Sequence, residues 1–134
     1  MKLKPDCVRA VLLTLEEKLV ITDDLHSEPI DIFDFFGMVT DFQKPDVLYT
    51  VQKLNEGGYI SASFQYASNE IYYGAIDSIT YQGHQFLESV RNEDTWHKIL
   101  DIFKGTGSFT LDNAMDIAKE ITKSVIKQKL GLNS

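Results

Sequence analysis

The chain has 134 residues, of which 43% are hydrophobic, 11% aromatic and 25% charged. This balance suits one globular domain able to bury roughly two thirds of its unfolded surface, and argues against a disordered tail, a collagen-like repeat or a disulfide scaffold. Net charge is −7, from 13 Lys/Arg against 20 Asp/Glu, so the molecule as a whole repels a phosphate backbone.

The single cysteine, Cys7, leaves no internal disulfide to form. Met1-Lys2-Leu3-Lys4 is basic like the start of a signal peptide, but Arg9, Glu16 and Glu17 interrupt the apolar run that should follow. No segment approaches the roughly eighteen apolar residues of a membrane span. The expectation is a soluble, cytoplasmic protein that needs no cofactor and touches no membrane.

Pro5 and Asp6 open a helix over about 6–18, with Val8, Val11, Leu12 and Leu15 at one-face spacing. Between Ile21 and Phe42, loop-forming Asp23, Asp24, Ser27, Glu28 and Pro29 precede the apolar Ile30, Ile32, Phe33, Phe35 and Phe36, which predicts a short strand and then a short helix. Lys44-Pro45-Asp46 starts a helix whose apolar Val47, Val51 and Leu54 share a side, and Gly57-Gly58 ends it. Ile60, Ala62, Phe64 and Tyr66 alternate with Ser61, Ser63 and Gln65, the pattern of a strand with one buried face. Ala67-Ser68-Asn69 supplies a turn, and the β-branched and aromatic run from Ile71 to Ile79, with Gly74 as a candidate bulge, returns as the second strand of a hairpin.

Thr80 can cap a helix carrying Phe86, Leu87 and Val90, and Asn92 can cap another carrying Trp96, Ile99, Leu100 and Phe103, the pair forming two helices or one kinked one. Gly105-Thr106-Gly107-Ser108 breaks the chain before Thr110 opens a last helix with Leu111, Ala114, Met115, Ala118, Ile121, Val125 and Ile126 apolar. The fold class is therefore mainly α with a small antiparallel hairpin (α+β). Its element order is that of a winged helix over 1–104, followed by a C-terminal helix in 105–134 that packs on the domain or forms a dimer interface.

Three blocks carry a resemblance: Met1-Lys2-Leu3-Lys4-Pro5-Asp6-Cys7-Val8-Arg9; Leu48-Tyr49 leading to Leu54-Asn55-Glu56-Gly57-Gly58-Tyr59-Ile60; and Ile79-Thr80-Tyr81-Gln82-Gly83-His84-Gln85-Phe86-Leu87-Glu88-Ser89-Val90-Arg91 with Trp96. Together they resemble the bacterial and prophage-borne domain-of-unknown-function 2513 family. The resemblance runs end to end, is weakest over 21–42, and implies a winged-helix-like fold and a phage-associated setting. It implies no activity, ligand or catalytic residue.

Chemical constellations are sparse. His84 with Glu88 and His97 with Asp101 have the spacing of two ligands on one helix face, without a third ligand marked in sequence. Lys104-Gly105-Thr106-Gly107-Ser108 lacks full phosphate-loop spacing and reads as an interhelical turn. Cys7 near a helix start could be a low-pKa thiol, but beside Val8 it reads as packed. His26 sits alone in a polar loop. The carboxylates Asp23, Asp24, Glu28, Asp31, Asp34 and Asp41 suit a basic partner or simply a solvated loop, and Lys119, Lys123 and Lys127 read as a solvated helix face.

Charge distribution orders the functional readings. It is −5 over 1–46, −4 over 47–94 and +2 over 95–134, with no Lys or Arg between Lys53 and Arg91. A winged helix would place its 45–56 helix in the major groove of DNA. The residues opposite that helix's apolar side, Asp46, Tyr49, Gln52, Lys53 and Glu56, instead sum to −1. A non-enzymatic protein-interaction module using those five residues is therefore favoured over a DNA-binding regulator. The last helix supplies a candidate homodimer interface through Leu111, Met115, Ala118, Ile121 and Val125.

Overall fold

A computed structural model of the protein describes residues 1–107 and 109–131. Its described elements are α1 (Pro5–Lys18), β1 (Val20–Ile21), β2 (Ser27–Glu28), β3 (Ile30–Asp31), α2 (Ile32–Phe36), α3 (Lys44–Glu56), β4 (Ile60–Ala67), β5 (Glu70–Ile79), α4 (Tyr81–Val90), α5 (Glu93–Thr106) and α6 (Leu111–Lys129). The fold is α+β, helical in the main with small antiparallel sheets. The chain forms two compact units, Met1–His84 and Gln85–Ser134. Within the second unit α5 packs with α6.

In the first unit, α1 and α3 start alike: a proline fills the first turn, where a missing N–H leaves no bond unmade, and an acidic residue faces the positive helix end. Their apolar sides, Val8, Val11, Leu12 and Leu15 on α1 with Val47, Val51 and Leu54 on α3, are fully buried. Each such side chain stabilises the fold by about 1.5–3 kcal/mol relative to exposure. Gly58 adopts φ 81° after α3, a left-handed turn that a side chain resists. Tyr59 N–H then bonds back to the Leu54 carbonyl at 2.9 Å.

The three-stranded sheet has the order β3-β5-β4, antiparallel throughout. The hairpin turn at Ser68-Asn69 places both residues at positive φ, 53° and 68°, as a tight two-residue turn demands. Register shifts occur between Ser61/Ala62 and Gln65/Tyr66, so the bulges fall opposite these points on β5 and Gly74 pairs in register with Phe64. Gly74 is small for a different reason than a bulge: a Cβ there would lie 2.8 Å from Ile32 Cγ2 and 2.9 Å from Phe64 Cδ1.

The region 21–42 is richer than one strand and one helix. It forms the β1-β2 hairpin, with Leu25 at φ 64°, then β3 and α2. Asp31 ends β3 and caps α2 by accepting the N–H groups of Phe33 and Asp34 at 2.8 and 3.3 Å.

In the second unit, the Asn92 side chain caps α5 by accepting Thr95 N–H at 3.1 Å, and α5 ends at left-handed Gly107. Thr110 caps α6, and the rings of Phe103 and Phe109 meet edge to face at 4.9 Å. Of the expected chain break, Ser108 lies outside the described residues; the rest is the end of α5 and its glycine cap.

Candidate functional site

The outward side of α3 and the β4 strand enclose an open cleft of about 360 Å³, lined by Tyr49, Gln52, Lys53, Asn55 and Glu56 from the helix and Phe64 and Tyr66 from the strand. The double glycine creates it, because the chain reverses at once and returns β4 alongside the helix it has just left. Asn55 Oδ1 accepts the Ala62 N–H at 2.9 Å and holds the two elements together at the near end. At the far end, Gln52 Nε2 donates to the Tyr66 hydroxyl at 2.5 Å. The rings of Phe64 and Tyr66 lie 6.5 Å apart.

Electrostatically the cleft is nearly silent toward an anion. Lys53 Nζ lies 2.9 Å from Glu56 Oε2 and 5.3 Å from the centroid of the Tyr49 ring. Donation to the Glu56 carboxylate, together with its charge, pushes the Lys53 ammonium above its ordinary pKa. The one lysine on this surface thus already faces a carboxylate, and no Lys or Arg follows it in the sequence until Arg91.

Four of the five residues assigned to partner binding, Tyr49, Gln52, Lys53 and Glu56, therefore come together. Asp46 does not join them. Its side chain is 15% exposed and pairs with Lys4 at 2.8 Å, an ion pair joining the starts of α1 and α3. That partner stands 42 residues away in sequence and left no local signal. Asn55, Phe64 and Tyr66 were not among the candidates. The alternation from Ile60 to Tyr66 predicts a strand with one buried face, and along that face burial fades from Ile60 at 2% exposed to Tyr66 at 52%. The hairpin outruns the helices beneath it, so its far aromatics are available to a cleft.

The other candidates lie apart from the cleft. Cys7 is fully buried, and burial pushes its thiol pKa up, against the helix-start effect a nucleophile would need. The Thr50 hydroxyl lies 3.3 Å from Cys7 Sγ and donates to the Asp46 carbonyl at 2.7 Å. Glu88 pairs with Arg91 at 2.5 Å, and Asp101 lies 3.9 Å from Lys104. Among the described residues no three His, Cys, Asp or Glu side chains gather as metal ligands. In the acidic stretch, Asp24 accepts from the Thr22 hydroxyl and Asp31 serves as the α2 cap. His84 borders a second hollow of about 270 Å³ with Leu15, Val20, Ile21 and Asp77.

On α6, Met115 and Ala118 are buried, Leu111 and Ile121 half-buried, and Val125 is 37% exposed. Lys119, Lys123 and Lys127 are exposed, with Lys123 lying 3.5 Å from Glu120. No described helix is long and apolar enough to cross a membrane.

A model of the family described as "Hypothetical protein (DUF2513)" matches residues 2–109. The chain belongs to this family. The DUF2513 match covers both elements of the cleft and stops just before α6 begins at Leu111. An "Uncharacterized protein" of Haemophilus influenzae (strain Rd) is 30% identical over 130 residues, covering 97% of this chain and 99% of that protein. No solved structure matches the chain.

Proposed function

We propose that this DUF2513 protein is a non-enzymatic, winged-helix-like protein-binding module that acts in the cytoplasm, in a phage-associated setting, and that its partner seats in the α3–β4 cleft. The winged-helix reading is supported by the order α1, β3, α2, α3, β4, β5 and by the sheet order β3-β5-β4. The observation that carries the choice of partner is the state of Lys53: it is the cleft's one cation, and it is held by Glu56 at 2.9 Å. Phosphate binding draws its affinity from free cations that displace counterions. A surface of Tyr49, Phe64, Tyr66 and Gln52 offers aromatic area and hydrogen bonds instead, which suits polypeptide.

The alternative, a DNA-binding regulator with α3 in the major groove, draws on the same element order. One experiment separates the two. Anisotropy titrations of the full chain at physiological salt compare a random-sequence duplex with peptides selected on the chain from a random library. Peptide binding that Tyr49→Ala abolishes and His97→Ala spares is expected, with no duplex binding tighter than about micromolar, the non-specific range. Tight duplex binding lost on Lys53→Glu would reverse the choice.

We further propose a homodimer through α6, where the expected contacts narrow to Ile121 and Val125 together with Ile126, 51% exposed. Light scattering should give twice the 15.2 kDa chain mass, falling to one chain for Ile121→Glu; a monomer at high concentration would end this proposal.

A further inference from the structure

The β4 strand lies at the edge of its sheet, since the order is β3-β5-β4. In an antiparallel ladder, successive residues point their backbone N–H and C=O alternately toward the partner strand and away from it. Ala62 N–H points away from β5, because it donates to Asn55 Oδ1 on α3. Phe64 lies two residues further on, and Tyr66, after the register shift, opposes Ile71 one step from the Ala67↔Glu70 pair that closes the hairpin. By that alternation their backbone groups face the same outward edge as those of Ala62, against which the sheet order sets no further strand. Asn55 thus ends the unpaired edge on one side and the Ser68-Asn69 turn ends it on the other.

Exposed edges usually carry a lysine, a proline or another cover that keeps further strands away. The strand itself carries neither of the first two: from Leu54 to Val90 the sequence has no Lys, Arg or Pro. It is flanked instead by the aromatic wall of the cleft, with Tyr66 52% exposed. We infer that the edge of β4 at Phe64–Tyr66 receives an extended, basic segment of another protein, which adds to the sheet as a further strand within the α3–β4 cleft.

The unpaired amides call for an extended backbone, which alone presents N–H and C=O groups at matching spacing. Charge selects its composition. Glu70 pairs with Ala67 at the far end of this edge, Lys53 is already matched by Glu56, and the chain carries net charge −7, so a second copy would set like charge against like. A segment alternating Lys or Arg with β-branched or aromatic residues would complement this net negative charge and lay its apolar side on Phe64 and Tyr66. This inference rests on the cleft being a protein-binding surface and specifies how it binds.

The test uses the full chain and the library-selected peptides described above, each remade with backbone N-methyl groups at alternate residues in either phase. Amide hydrogen exchange is read by NMR. The expected result is selection of basic, alternating peptides that slow exchange at Phe64 and Tyr66 by at least about tenfold, a factor worth about 1.4 kcal/mol. One phase of N-methylation should abolish binding and the other spare it. Peptides lost on Tyr49→Ala that bind as helices, or that leave both amides unprotected, would overturn strand addition while leaving the cleft as a binding surface. Failure to select any peptide sensitive to Tyr49→Ala would overturn both readings. Protection that grows with protein concentration in the absence of peptide would assign the edge to a second copy and overturn the basic partner.

Discussion

Helices α3 and α6 read alike in sequence and end up differently. Each begins with a capping or proline signal and shows a clear apolar stripe. On α3 the stripe is consumed: Val47, Val51 and Leu54 are all fully buried, with α1, α2 and β4 packed around them. On α6 burial is confined to Ala114, Met115 and Ala118, in the first half of the helix, while Val125, Ile126 and Leu130 stay exposed. Periodicity reports that a helix has an apolar side. It does not report how much of that side other elements reach, which depends on their lengths and placement.

This contrast can be broken most forcefully at Leu54. Leu54→Ala should cost about 2–5 kcal/mol, the price of a cavity in a site closed on several sides, seen as a lowered urea midpoint with an unchanged slope. A smaller loss is expected from the chain that follows α3. A Cβ at Gly83 would sit 1.8 Å from the Tyr59 carbonyl oxygen, so Gly83→Ala should cost about 1–3 kcal/mol as backbone moves aside, also read in urea.

The α1–α3 contact carries a pH signature. Burial raises the Cys7 pKa above that of an exposed thiol, so the unfolded chain loses the thiol proton first as pH rises. Stability is fully present below the unfolded pKa and is lost as pH climbs through the alkaline range toward the folded value. Under reducing conditions, the urea midpoint of the wild type should fall further between neutral pH and about pH 10 than that of Cys7→Ala; equal falls would deny the effect. The smallest change belongs to α6. Ile126→Lys, on a 51% exposed side chain, should move the stability of the single chain, read in urea at a concentration where light scattering gives a monomer, by no more than about 0.5 kcal/mol, and a large loss there would show that the chain itself covers this half of α6.

Much of the fold was legible because its signals are local. The start of α3 at Lys44-Pro45, its glycine stop, the hairpin turn and the caps Asn92 and Thr110 each depend on residues within a few positions of one another. The region 21–42 resisted because β1, β2 and β3 are two residues long, too short for any period, and β3 exists only through pairing with Ile76 and Ala75 far along the chain. The site was legible in part for the same reason. Tyr49, Gln52, Lys53 and Glu56 follow from helix geometry, whereas losing Asp46 to Lys4 and gaining Phe64 and Tyr66 required knowing where distant elements lie.

The Ser68-Asn69 turn also bears on the order of folding. Its two left-handed residues set the hairpin's reversal within the chain's own backbone, and the β4–β5 ladder grows from it by pairing near neighbours in sequence. Docking β3 means closing a loop from Ile30 to Ile76, which costs more chain entropy before any contact repays it. The two-stranded ribbon is therefore expected to form first and to serve as the template on which β3 and its appended helix α2 settle. Pulse-labelled hydrogen exchange during refolding should show Gln65 and Ala75 amides protected ahead of Ile30; protection of Ile30 at the same time or earlier would reverse that order.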